Sequence, residues 1–204
     1  MEATPGLRER KKQRTREAIV EAAFELFEDR GFDGTTIADI AEAAEIAPRT
    51  FFSYFPSKDD VVFHDFSEKQ AALASILRER ESGTNAFDAV RNAIPSLGAD
   101  EADPSHLRQK QCRSQLIREN DSLAAHSEHL RGKIVELLAE AVAQDLGDEP
   151  DSLRPRLVAA ATAAALEVID QMPADEVDDP MRVFESVLAF LRGGLAAMQD
   201  ETRP

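Results

Sequence analysis

Between Thr35 and Lys58 the chain reads TTIADIAEAAEIAPRTFFSYFPSK, and this stretch confines the fold more tightly than any other. Thr36-x-x-Asp39 is a capping box, in which the hydroxyl and the N3 carboxylate each satisfy a backbone N–H that a helix start leaves open. Ile37, Ile40, Ala41 and Ala44 then recur at i, i+3, i+4 and i+7, the spacing of a buried helical stripe. Glu45-Ile46-Ala47 interrupts that stripe. Pro48 suits the first position of a new helix, where its missing N–H costs nothing. In the second piece Phe51 and Phe55 share one face, while Arg49, Thr50, Ser53 and Tyr54 point elsewhere. A short helix with a small apolar face and an exposed polar one, braced by another short helix, is how a helix-turn-helix meets a DNA major groove.

The flanking sequence is helical throughout. A first helix is expected from Arg8 or Lys12 to Arg30, stopped by Gly31. Ser57 and Asp60 form a second capping box that starts a fourth helix reaching Arg80, with Val61, Val62, Phe66, Leu73, Ile76 and Leu77 inward. Further helices are expected over 84–97, 104–119, from Asp121 or Ser122 to Gly147, from Ser152 to Met172, and from Asp179-Pro180 to Met198. The acidic stretch Gly98–Asp103 reads as a loop, with Asp103 a cap for the helix behind it. No strand-like alternation and no internal repeat occur. The fold class is therefore all-α: a three-helix DNA-binding head over 8–56 and a larger helical body over 57–204.

A net charge of −15 looks wrong for a nucleic-acid binder until it is mapped. Residues 1–16 hold Arg8, Arg10, Lys11, Lys12, Arg14 and Arg16 against Glu2 and Glu9, a local +4 that leaves −19 on the remainder. Such asymmetry draws one end of the molecule to phosphate and repels the other, which orients an encounter. The lone cysteine, Cys112, excludes an intramolecular disulfide and a four-Cys metal site; Arg108, Lys110 and Arg113 around it act to lower its pKa, but a lone helical cysteine reads as inert filler rather than a redox sensor. Neither an apolar leader nor a run of about 18 apolar residues is present, so a cytoplasmic location without membrane partners is expected.

Over about residues 12–62 the chain resembles the DNA-binding domain of the TetR family of bacterial transcriptional regulators. The resemblance rests on Ile19, Ala22-Ala23, Leu26-Phe27 and Gly31, then on Thr36, Ile40-Ala41 and Ala44, and finally on Thr50-Phe51 and Tyr54-Phe55-Pro56-Ser57-Lys58. Two positions depart from the family pattern. Arg49 stands where members often carry Gly, and Phe52 where they often carry a phosphate-binding Tyr. The first points to a different base preference; the second removes a hydroxyl contact. The resemblance implies a ligand-responsive regulator, a repressor acting as a homodimer on a near-palindromic operator in double-stranded DNA. By match to family positions, Thr36, Tyr54 and Lys58 are implied phosphate anchors.

The residues themselves add detail. Arg49, next to the helix-opening Pro48, carries a fork that matches the O6/N7 edge of guanine. Thr50 and Ser53 reach bases or phosphates, and Phe52 suits a thymine methyl. In the body, LVAAATAAAL over Leu157–Leu166 offers a small-residue surface, and Phe184, Val187, Leu188, Leu191 and Leu195 make the last helix more apolar than a peripheral helix needs. Two copies of this pair would close a four-helix bundle about a two-fold axis.

An effector is expected between helices four and eight, apolar or amphipathic as is usual for a helical pocket. Candidate lining residues are Phe63, Phe66, Phe87, Ile94 and Leu97, with Arg113, Leu116 and Ile117, each explained equally by core packing. The wording PRTFFSYFPSKDDVV resembles actinobacterial-type members, among which fatty-acyl-CoA sensors occur, and Arg108, Lys110 and Arg113 offer charge for an anionic head group. His126 and His129 sit three apart without a third ligand at fixed spacing, and no phosphate-cradling glycine loop or nucleophile elbow is present. No catalytic residue, cofactor or metal is expected, and the chain does not read as an enzyme. The alternative is a helical small-molecule or protein-binding module without specific DNA binding.

Overall fold

The computed structural model describes residues 6–97 and 104–171 and, beyond them, 182, 185–187, 189, 190 and 193. Every regular element among these residues is an α-helix. Two compact units divide the chain: Met1–Asp65 with Arg108–His126, and Phe66–Leu107 with Ser127–Pro204.

In the first unit α1 spans Leu7–Arg30 and ends at Gly31, whose φ of 75° lies in the left-handed region where a Cβ is disfavoured. Its inward residues, Ile19, Ala23, Phe24 and Phe27, pack against α2 (Ile37–Ala43), α3 (Pro48–Phe51) and α4 (Lys58–Val62), which supply Ile40, Phe51, Val61 and Val62 to the same core. Both expected starts are capped. The Thr36 N–H donates to Asp39 Oδ2 at 2.8 Å while the Asp39 N–H donates to Thr36 Oγ1 at 3.2 Å. The Ser57 hydroxyl accepts the Asp60 N–H at 3.2 Å. From the later chain, Cys112 and Leu116 of α7 (Pro104–Glu119) and Leu123 of α8 (Asp121–Leu146) complete this core.

One expected helix is two. The fourth helix stops at Val62, and α5 begins at Phe66 and runs to Arg78. The apolar stripe through Val61, Val62 and Phe66 hides the interruption, whose cause is tertiary. The His64 carbonyl accepts a hydrogen bond from the Arg16 guanidinium, Asp65 pairs with Arg113 at 3.1 Å, and the Phe63 ring stacks on His126 at 4.8 Å. The start of α8 is also capped one residue earlier than expected: Asn120 Oδ1 accepts the N–H groups of Ser122 (3.0 Å) and Leu123 (3.2 Å).

In the second unit α5 packs on α6 (Ala86–Leu97), and Leu73, Leu77, Phe87 and Val90 meet Leu138 and Val142 of α8 and Val158, Ala159 and Ala163 of α9 (Leu153–Gln171). About half of the small-residue surface on α9 is therefore internal core. Its other face keeps Leu153, Leu157 and Val168 open, at 72%, 49% and 59% exposure. Of the last helix, Val187 lies among the described residues, whereas Phe184, Leu188, Leu191 and Leu195 lie outside them, as do Gly98–Asp103. No helix among the described residues is long and apolar enough to cross a membrane.

Candidate nucleic-acid interface

The joint of the helix-turn-helix is a Schellman motif. At the end of α2 the Ile46 N–H reaches the Ala41 carbonyl (2.9 Å) and the Glu45 N–H the Glu42 carbonyl (3.1 Å), with Glu45 at φ 54°. Sequence reading places the break at Glu45 but not its form, because a glutamate gives no sign of a left-handed backbone. Pro48 then opens α3. After Phe51 the backbone tightens: Ser53 N–H bonds to Thr50 O at 3.0 Å and Tyr54 N–H to Phe51 O at 2.9 Å, the i→i+3 pattern that often finishes a helix.

This geometry separates two adjacent phenylalanines. Phe51 is fully buried, while Phe52 is 57% exposed, its ring edge-on to Phe51 at 5.7 Å and 84°. Pro48, Arg49 and Ser53 are exposed with it, and Thr50 and Tyr54 are half-buried, the Tyr54 ring lying against the core. The buried Phe51 and Phe55 thus hold an outward patch of one guanidinium, one aromatic ring and hydroxyls. Such a patch can donate a fork to a guanine edge and press an apolar surface on a thymine methyl.

The expected phosphate anchors are differently placed. Thr36 is exposed, but its hydroxyl is engaged with Asp39 Oδ2 at 2.5 Å. Hydrogen bonds from the Thr36 side chain and backbone, aided by Arg30, hold the Asp39 carboxyl below its ordinary range. Lys58 is half-buried, its ammonium 2.6 Å from the Phe32 carbonyl and 3.0 Å from that of Thr35. Of the basic cluster on α1, Arg8, Arg10, Lys11, Lys12 and Arg14 are exposed. Arg16 is not: its guanidinium lies over the Phe55 ring, 4.9 Å from the centroid, as well as on the His64 carbonyl. Arg16, counted in the sequence with the basic cluster that is drawn to phosphate, instead braces the fold.

The expected effector residues do not gather in one described unit. Phe63, Arg113, Leu116 and Ile117 belong to the first, with Leu116 in its core; Phe66 and Phe87 belong to the second, with Phe87 in its core. The side chains of Ile94 and Leu97 lie outside the described ones. Two of the three cations expected for an anionic head group are committed elsewhere, Arg108 to Glu28 at 2.7 Å and Arg113 to Asp65. At Cys112, burial and then the neighbouring Glu28 push the thiol up to about 11, outweighing the lowering effect of Arg108 and Arg113 and in keeping with inert filler. An open cleft of about 480 Å³ in the second unit, bounded by Arg78, Arg80, Thr84, Asn85 and Asp145, is polar rather than apolar. Among the described residues no three His, Cys, Asp or Glu side chains gather as a metal site.

Comparison with known proteins accords with this geometry. A family model described as bacterial regulatory proteins, tetR family, matches residues 19–71, and one described as the MftR C-terminal domain matches residues 84–196. The HTH-type transcriptional regulator TcmR of Streptomyces glaucescens is 34% identical over 214 residues, which cover 98% of this chain and 92% of TcmR. Among solved structures, NalD, the secondary repressor of the MexAB-OprM multidrug efflux pump in Pseudomonas aeruginosa, superposes with a TM-score of 0.64 at 18% identity, covering 89% of this chain and 96% of NalD. Thermus thermophilus FadR, a transcriptional repressor in complex with lauroyl-CoA, does so with a TM-score of 0.56 at 24% identity, covering 86% of this chain and 92% of FadR. At those identities the two structures speak for the fold alone.

Proposed function

This chain belongs to the TetR family of bacterial transcriptional regulators, and from that premise we propose that it is a repressor released from a near-palindromic operator by a small apolar or amphipathic effector. The observation that carries the DNA half is the outward patch of Arg49, Phe52 and Ser53, held by the buried Phe51 and Phe55 on a helix-turn-helix. Arg49 reads a guanine edge, Phe52 a thymine methyl, and Thr50 and Ser53 reach bases or phosphates. Pro48 fixes where that helix starts, and Thr36 and Tyr54 meet the backbone. The exposed basic residues of α1 add sequence-independent attraction.

The protein acts as a homodimer in the cytoplasm and is not an enzyme. The apolar stripe of Leu153, Leu157 and Val168 on α9 supports the pairing, because an open row of this kind on one helix marks an interaction surface. Two heads then meet half-sites about 34–36 Å apart, or a multiple of that. Residues 8–56 read DNA and 57–204 bind effector and partner. The effector must bind the DNA-free arrangement of the heads more tightly, since equal affinity for both states shifts nothing. An amphipathic effector is in keeping with the fold: FadR, in complex with lauroyl-CoA, speaks for what the fold can accommodate and not for this chain's own ligand, and here Arg108 and Arg113 are engaged with carboxylates.

Binding of the purified protein to fragments of its own upstream DNA, across a salt series, tests this reading. Saturable, sequence-selective binding with two protomers per site is expected. Weak binding erased by salt on every fragment, including fragments selected genome-wide, would leave a helical binding module instead.

A further inference from the structure

A lysine that anchors a phosphate must bring its ammonium to the DNA with that charge free to give. Lys58 has another use for it. An ammonium has three N–H donors and no acceptor, and here two point at main-chain carbonyls, Phe32 O at 2.6 Å and Thr35 O at 3.0 Å. The same nitrogen stands 4.0 Å from the centroid of the Phe32 ring, on its face. That ring is itself buried against Phe27 at 5.3 Å.

The segment Lys58 grips is the connection from α1 to α2, and it is tied at nearly every residue. Gly31 adopts a left-handed backbone, and a Cβ on Gly34 would come within 2.4 Å of the Arg30 carbonyl oxygen. Thr35 is 1% exposed; its hydroxyl lies 2.9 Å from Gly31 O and 3.2 Å from Leu26 O, and its N–H donates to Phe32 O at 3.2 Å. The next residue, Thr36, caps α2, which braces the reading helix through the Schellman joint. Whatever fixes residues 31–35 therefore fixes where the outward patch stands.

We propose that Lys58 is a positioning residue, which sets the α1–α2 connection and through it the reading helix, and does not itself neutralise a phosphate. The proposal rests on the DNA-binding reading, yet part of its test is independent of DNA. Exchange of the Phe32–Ala38 amides in the free Lys58→Gln protein is expected to quicken relative to wild type. Operator affinity is expected to fall about tenfold at every salt concentration, because a lost phosphate contact, and not a displaced loop, lowers the salt slope by about 0.9.

Thr35→Val, which leaves the charge unchanged, is expected to reproduce both effects. Lys58→Arg is expected to bind less well than wild type, since a planar fork cannot occupy the place of one nitrogen between two carbonyls; a phosphate anchor would accept arginine readily. A slope shallower by about 0.9 in Lys58→Gln, unaltered amide exchange, or full affinity in Lys58→Arg each overturns the proposal. Failure of the wild type to bind any DNA selectively sinks the functional reading alone, and the exchange measurement still decides the role of Lys58.

Discussion

The carboxylate of Asp65 lies 3.1 Å from the guanidinium of Arg113, and the pair fastens α7 to the break between α4 and α5. Each residue of that break is held from a different direction. Phe63 stacks on His126 of α8, His64 meets the Phe24 ring edge-on at 6.0 Å and gives its carbonyl to Arg16, and Asp65 meets Arg113. The pair is about four-fifths covered, at 17% and 22% exposure, so removing one partner strands a largely desolvated charge. Arg113→Ala is expected to cost about 1–2 kcal/mol, below the figure for a fully buried pair because water still reaches it. Chemical denaturation reads the loss, and Asp65→Ala on the same background should recover part of it.

Arg16 separates structure from electrostatics within the basic arm. With its guanidinium over Phe55 and on the His64 carbonyl, Arg16→Ala is expected to lower the stability of the protein by about 1 kcal/mol. Exposed Arg14→Ala should leave stability unchanged while weakening binding to all DNA sequences alike. Equal melting temperatures for the two variants would contradict the assignment.

Glu45 occupies the left-handed region at φ 54° with its side chain exposed. Glu45→Gly removes a backbone penalty of roughly 1–2 kcal/mol but adds unfolded-state freedom, so a net gain of roughly 0.5–1 kcal/mol is expected in thermal unfolding. A loss would mean that the glutamate makes a compensating contact.

The Cys112 thiol, raised to about 11 by burial and Glu28, should be about one part in a thousand thiolate at pH 8 and react slowly with a disulfide reagent in the native protein. Unfolding should speed the reaction sharply. The sign for stability follows: a thiol that ionises near 9.0 when unfolded and near 11 when folded leaves stability intact below pH 9 and erodes it as pH climbs toward 11. Rapid native labelling at pH 7 would contradict the raised thiol pKa.

What sequence makes legible here is local chemistry. Thr36 and Asp39 declare a helix start because both partners of the box lie within one turn, and Gly31 and Pro48 announce a stop and a start for reasons of backbone alone. The break at Phe63–Asp65 is invisible because the residues that hold it come from Arg16, Arg113 and His126. The grip of Lys58 on residues 23 and 26 positions earlier has no local trace either. Charge near Cys112 misleads for the same reason: Arg108 and Arg113 adjoin it in sequence, but Glu28 and burial reach it through the fold. On α9 the alanine-rich run reads as one surface, yet helical geometry turns Ala159 and Ala163 inward and leaves Leu157 out.

Selection of bound genomic fragments with the wild type and with Arg49→Ala, followed by affinities for single-base variants of the operator, tests the central claim. The account predicts that Arg49→Ala loses about 1–3 kcal/mol on the intact operator and becomes indifferent to the base at one position in each half-site. A loss of the same size at every base position, or a variant that keeps the wild-type sequence preference, would contradict it.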